Sequence, residues 1–185
     1  MKKTDFIPNY PKIHEKRYAR TLSFLEKVIA KSARILDLGP VNPLSRMMLD
    51  KGYRVQNTPE HIDLDMDYGI VTDPQFDFVT AFEIFEHLVS PFPLLQAIKT
   101  PGLIASVPLK LWFADAYWNE NDPWDRHYHE FEPRQFDMLL NKAGWNIVAS
   151  EKWTSYDNKI GLRPLLRRFT NRYYIVYCTR QENKT

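Results

Sequence analysis

Residues Ala33–Pro43 read ARILDLGPVNP. An apolar run carries one acid, Asp37, then Gly39, and breaks at Pro40 and Pro43. The run reads as a short buried strand, RILDL, that enters a tight turn. Asn42 is placed as the N-cap of the helix that follows, Pro43 suits its first position, and Gly52 stops it. Strand, turn and helix in that order form a nucleotide-binding corner, because the helix start presents free backbone N–H groups. Asp37 needs explaining, since an acid in an apolar strand must be desolvated unless it meets partners. It either caps the neighbouring turn or orients the loop towards a positive ligand group.

Further apolar segments follow in order: YRVQN, FDFVTAFEIF, GLIASVPL, WNIVASEKW and YYIVYCT. Between them lie helical stretches at Pro91 to Lys99 and at Pro133 to Ala143, the latter ended by Gly144. Upstream, Tyr18, Leu22, Leu25, Val28 and Ile29 recur at helical spacing within Lys12 to Lys31. Residues 1–11, broken by Pro8 and Pro11, read as an irregular arm. Alternating strands and helices imply βαβ units and a mostly parallel sheet, with ligands beyond the C-terminal strand ends. LDLG, TAFE and SVPL all fall at such ends.

After the second strand comes NTPEHIDLDMD. Glu60 stands 23 positions beyond Asp37, where a carboxylate can accept both hydroxyls of a ribose. Asp63, Asp65 and Asp67 follow, and an acid here can accept from the exocyclic amine of adenine. The D-x-D-x-D spacing also suits calcium, but the glycine and terminal Glu of an EF-hand loop are missing. A nicotinamide-dinucleotide reading is weaker still, because its G-x-G-x-x-G fingerprint meets one glycine.

In their order and spacing these segments resemble the class I S-adenosylmethionine-dependent methyltransferases, over roughly residues 33 to 150 of the 185. ILDLG resembles the family's first motif and FDFVTAFEIFEHL its fourth-strand motif, acid–His pair included. HYHEFEPRQFDMLLNKAGWNIV resembles the later segments of small bacterial members. The resemblance implies a single Rossmann-like α/β domain, a three-layer sandwich with about seven strands and the last one antiparallel. It divides the chain into an N-terminal arm and helix (1–32), a cofactor-binding core (33–152), and a basic loop with the last strand (153–185). It implies S-adenosylmethionine as cofactor, held by Asp37, Gly39, Pro40, Glu60, His61, Asp65, Met66, Phe82 and Glu83. It also suggests that Arg17 and Tyr18 close over the cofactor's carboxylate. The departure lies in the turn, where Val41 and Pro43 stand in place of further glycines. Val41 resists positive φ and Pro43 removes a donor, so a stiffer, looser-fitting loop is expected.

Methyl transfer from a sulfonium needs alignment and exclusion of water, and a base only where the acceptor loses a proton. His87, His127 and His129 are the candidate bases. In DRHYHEF the two histidines alternate, so both would share one side of an extended segment. With Glu130 nearby they make only a weak metal set, and no metal is expected. Trp112, Trp118 and Trp124 in LWFADAYWNENDPW read as a lid or an acceptor wall, or as a small satellite core. RPLLRRFTNR, with Arg167 and Arg168, would take a phosphate or carboxylate on the acceptor. Alternatively it would touch an anionic membrane through Leu165, Leu166 and Phe169, or be a plain solvated turn.

Composition narrows the classes. Residues 1–34 carry +6, 35–150 carry −9 and 151–185 carry +5, a division that argues against a nucleic-acid partner. One cysteine, Cys178, excludes an internal disulfide framework. No apolar run reaches the roughly 20 residues of a membrane helix. The expectation is a cytoplasmic enzyme methylating a small-molecule, glycan or lipid-linked acceptor, with an anionic group as one option for it. The other reading is a methyltransferase-like ligand-binding module that has lost catalysis.

Overall fold

The computed structural model describes residues 12–155 and 161–181. The expected arm over residues 1–11 lies outside the described residues. Six strands form one sheet: β1 Arg34–Asp37, β2 Arg54–Asn57, β3 Phe78–Phe82, β4 Gly102–Pro108, β5 Trp145–Thr154 and β6 Asn171–Arg180. Their spatial order is β2-β1-β3-β4-β6-β5. Neighbours among β1 to β4 are parallel, whereas β6 runs antiparallel to both β4 and β5. The last strand is therefore antiparallel, as expected.

Among the described residues the α-helices are α1 Lys12–Val28, α2 Pro43–Asp50, α3 Pro91–Ala97, α4 Pro133–Lys142 and α5 Leu162–Phe169. The inner strands β1, β3, β4 and β6 carry buried residues on both faces, whereas the edge strands β2 and β5 alternate with exposed positions. On β4, Leu103, Ala105 and Val107 enter one apolar cluster with Leu94, Leu95, Phe136 and Leu140 of α3 and α4. Ile104 enters the other, with Leu22 and Leu25 of α1 and Leu44 and Met48 of α2. Period-2 alternation along a strand thus builds the three-layer sandwich.

The sheet has six strands, not seven. Between β2 and β3 the chain forms turns and one 3-10 helix, Gly69–Thr72. Asp63, Asp67 and Asp73 each accept from the backbone N–H two residues on, Asp65, Gly69 and Gln75, at 2.9 Å. Local bonds of this kind compete with a strand ladder. The other surprise is α5, expected as a basic loop. It is a helix with no buried residue, and Leu162, Leu165 and Phe169 are exposed on it. No helix among the described residues is long and apolar enough to cross a membrane.

Candidate active site

A cavity of about 600 Å³ opens beyond the C-terminal ends of β1, β3 and β4. That volume suits a cofactor-sized ligand. Asp37 closes β1 and is buried. Its Oδ1 accepts from Thr80 Oγ1 on β3 at 2.6 Å, and its Oδ2 from Asn57 Nδ2 on β2 at 3.0 Å. Burial pushes its carboxyl up to about 7, against the pull of these two bonds.

Gly39 follows at φ +95°, which L side chains rarely adopt. Its N–H donates to Thr58 Oγ1 at 2.8 Å. Asn42 has extended backbone, and its side chain caps α2 by accepting from Ser45 N at 3.1 Å. The missing glycines are therefore not needed in this conformation. No positive φ falls on Val41, which is 59% exposed and does not line the cavity. Pro40 and Asn42 do line it.

Phe82 ends β3, and Glu83 turns the chain with φ +56°. Among the described residues it is the one non-glycine with positive φ, a strained state often found at functional positions. Glu83 Oε1 accepts from Ser106 Oγ on β4 at 2.8 Å, and Oε2 meets Arg17 Nη1 of α1 at 3.2 Å. Arg17 also donates to His14 Nδ1 at 3.2 Å, and Tyr18 lines the same wall. The analogy that placed Arg17 and Tyr18 at the site thus has a geometric counterpart.

The turn after β3 is a 3-10 helix, Phe85–His87. Glu86 within it is 1% exposed, and among the described residues neither carboxylate oxygen has a hydrogen-bond partner. Burial, with Glu83 beside it, pushes its carboxyl well above the usual carboxylate range. His87 Nδ1–H donates to Arg126 O at 3.1 Å, and its Nε2 lies 3.8 Å from Glu86 Oε1. Burial, then His127, hold the His87 imidazole below its ordinary value, favouring the neutral ring.

Residues 109–131 form a lid pinned at both ends by the Leu109–Phe131 bridge. The lid brings Tyr117, Asp125 and His127 to the cavity. The His127 and His87 ring centroids are 4.9 Å apart. Arg172 of β6 ties the lid down, donating to Leu109 O at 2.6 Å and Glu130 Oε1 at 3.2 Å.

Other expected site residues stand elsewhere. His129 is turned away from His127, stacking on Phe131 and facing Val89 O. The alternation fails because the segment is bent: the N–H groups of Tyr128 and His129 both donate to Glu86 O. Glu60 and His61 lie on the exposed turn after β2, and Met66 is 80% exposed; none lines the cavity. Asp65 accepts from Val89 N and Ser90 N at 2.9 and 3.0 Å, stapling the linker to the start of α3. Trp112, Trp118 and Trp124 are exposed and outside the lining; Trp118 carries the Arg126 guanidinium 4.7 Å from its ring centroid. Arg167 and Arg168 lie on α5, also outside it; the arginines that line the cavity are Arg17 and Arg172.

Sequence reasoning missed Asn57, Thr80, Ser106, Tyr117 and Glu86 as a buried acid. Asn57 and Thr80 stand in register with Asp37 on the two neighbouring strands, so a parallel-register assignment could have found them.

No protein-family model matches the sequence, and no curated protein matches it. Solved structures do. One is a Burkholderia thailandensis 1,6-didemethyltoxoflavin-N1-methyltransferase with bound S-adenosylhomocysteine: TM-score 0.64, 17% identity, 92% of this chain and 84% of that one. Another is the Synechocystis magnesium protoporphyrin IX methyltransferase with bound SAH: TM-score 0.60, 13% identity, 92% and 84%. The [4+2]-cyclase SpnF is also similar, with TM-score 0.58, 13% identity, 90% and 82%. Similarity at these identities is a statement about architecture, and it agrees with the strand order and the cavity: the chain has the Rossmann-like fold of the class I S-adenosylmethionine-dependent methyltransferases.

Proposed function

We propose that this chain transfers a methyl group from S-adenosylmethionine to a small-molecule acceptor. The observation that carries the reading is the corner at the end of β1. There a buried carboxyl, Asp37, adjoins a positive-φ glycine on the wall of the cavity. Fold alone does not carry it, because a cyclase shares the architecture.

The residues present fit the cofactor's charges. Four carboxyl groups, Asp37, Glu83, Glu86 and Asp125, share the lining with two guanidiniums, Arg17 and Arg172. An ammonium and a sulfonium beside them favour the charged forms of the two buried acids, while Arg17 and His14 suit the ligand's carboxylate. A side chain at position 39 would meet Ile84 Cδ1 at 3.2 Å, so the cradle needs glycine. When bound, the cofactor supplies an electrophilic methyl group. Asp37, Gly39 and Pro40 hold the loop side, and Phe82 and Glu83 the floor. The lid excludes water, and Tyr117 and His127 face the acceptor. His87 or His127 takes the acceptor's proton where one is lost. Asp65, with both oxygens committed to backbone, acts by holding the site's far edge.

The test is calorimetry with S-adenosylhomocysteine. Wild type binds, and Asp37→Asn weakens binding by roughly tenfold or more, the loss of a charge-assisted contact. Glu60→Ala, on an exposed turn, changes affinity by no more than about twofold. Absence of binding by wild type at millimolar ligand defeats the proposal. Binding without methyl transfer to any of a broad acceptor panel would favour the ligand-binding module.

A further inference from the structure

We propose that Glu86, His87 and His127 form a binding site for a divalent transition-metal cation on the cavity wall. The sequence weighs His127 and His129 with Glu130 as a weak metal set, without joining the Glu86–His87 pair to it, and so no metal is expected from it. The fold unites a 3-10 turn after β3 with the lid, some forty residues on. One ligand atom from each of the three side chains lies within 4.8 Å of the others. Bonds of about 2.0–2.2 Å bring such atoms to roughly 3.5 Å apart, a contraction that small side-chain rotations supply.

Two independent features point to a cation. First, Glu86 is 1% exposed and both of its carboxylate oxygens lack a partner. Buried carboxylates are otherwise paired or coordinate metals. Second, the Nδ1 of His87 faces Arg126 O at 3.1 Å. A proton placed there leaves the Nε2 lone pair free on the side of Glu86, 3.8 Å from Oε1. A carbonyl that orients the ring through its other nitrogen is the usual support of a metal-ligating histidine. The Nδ1 of His127 lies 3.5 Å from Glu130 Oε1, close but not hydrogen-bonded, and Arg172 and Tyr117 N hold that carboxylate in place.

Two imidazoles and one carboxylate suit Zn²⁺, Mn²⁺, Fe²⁺ or Co²⁺ rather than the all-oxygen shells of Ca²⁺ and Mg²⁺. Three protein ligands leave coordination positions open to the cavity. If the methyltransferase reading holds, these positions take an oxygen of the acceptor, which then belongs to the hydroxyl-bearing, metal-chelating class. The cation site itself does not depend on that reading.

The experiment titrates chelator-treated full-length protein with Co²⁺, followed by visible absorption, with Zn²⁺ in competition. The expected result is saturable uptake near one equivalent, with bands of a low-symmetry, imidazole-containing site, displaced by Zn²⁺. His87→Gln and His127→Gln each weaken uptake by at least roughly 10–100-fold, the loss known for supporting groups alone. Glu86→Gln does the same, with folding checked by circular dichroism. His87 is 24% exposed, so its variant keeps the test valid if Glu86→Gln fails to fold. His129→Gln, outside the cavity lining, binds as wild type. No saturable uptake, or uptake unchanged in the His87→Gln/His127→Gln double variant, overturns the site. S-adenosylhomocysteine calorimetry on the same samples separates the two proposals. Cofactor binding without cobalt uptake defeats only the cation site, and cobalt uptake without cofactor binding defeats only the methyltransferase reading.

Discussion

At the end of β1, Asp37 is buried and each of its oxygens accepts a side-chain hydrogen bond. In the turn after β3, the neighbouring strand, Glu86 is equally buried and neither oxygen has a partner. The two acids line one cavity, yet they are maintained differently. Asp37 sits inside a parallel ladder, where Asn57 and Thr80 stand in register with it. Glu86 sits in a 3-10 turn covered by a lid that brings a histidine, not a donor to the carboxylate. The first acid has both oxygens satisfied within the sheet. The second leaves two buried oxygens without a partner among the described residues, and a buried polar group left unpaired costs about 1–3 kcal/mol.

The largest effect that separates them is on pH dependence. The Asp37 carboxyl rises from 3.8 to about 7 in the folded chain. Between those values the folded state holds a proton that the unfolded state has lost. Its stability contribution is therefore intact below about pH 4, declines as pH rises, and is gone above about 7. Asp37→Asn removes this slope. It should gain on the order of a few kcal/mol over wild type at pH 8 and nothing at pH 4, in urea titrations at both values. An unchanged slope would mean that Asp37 titrates normally and that its network does not bury the charge.

The next effect concerns Glu86. Glu86→Met removes two unpartnered oxygens and fills similar volume. It should stabilise chelator-treated protein by about 1–3 kcal/mol. Unlike the gain at Asp37, this one should persist at pH 4, because Glu86 lacks partners even when neutral. Destabilisation at both pH values would show that Glu86 has partners in solution and would erase the contrast.

The smallest effect is within the β1 loop. Gly39→Ala places a side chain at φ +95° and 3.2 Å from Ile84 Cδ1, and should cost about 1–2 kcal/mol. Val41→Gly relieves no positive φ and should leave cofactor affinity within about twofold. Tighter binding by Val41→Gly would restore the view that the loop is a degenerate one.

Much of this architecture was legible in the residues. Apolar runs placed all six strands, most plainly the inner ones buried on both faces, and helical spacing with caps, prolines and glycine stops placed four of the five helices. The missing seventh strand came from resemblance, and the three Asp-centred turns at Asp63, Asp67 and Asp73 explain why the segment did not form one. Helix α5 went unread because none of its residues is buried, so no core face marked it.

The site divided along the same line. The Gly39 turn and the Asn42 cap depend on neighbours within a few residues, and residue types at that spacing were enough to place the corner, whereas the partners of Asp37, Asn57 and Thr80, come from the two neighbouring strands. Glu83's turn and the Glu86–His87 pair were visible as a motif, but not their burial. The cavity-facing role of His127, the exclusion of His129 and the exposure of the tryptophans and of Glu60 depend on contacts between distant segments. Local pattern determines which backbone a segment adopts. Which side chains share a cavity is decided by how the lid bends over Glu86, through backbone bonds from Tyr128 and His129 to a carbonyl some forty residues earlier, and no local period encodes that.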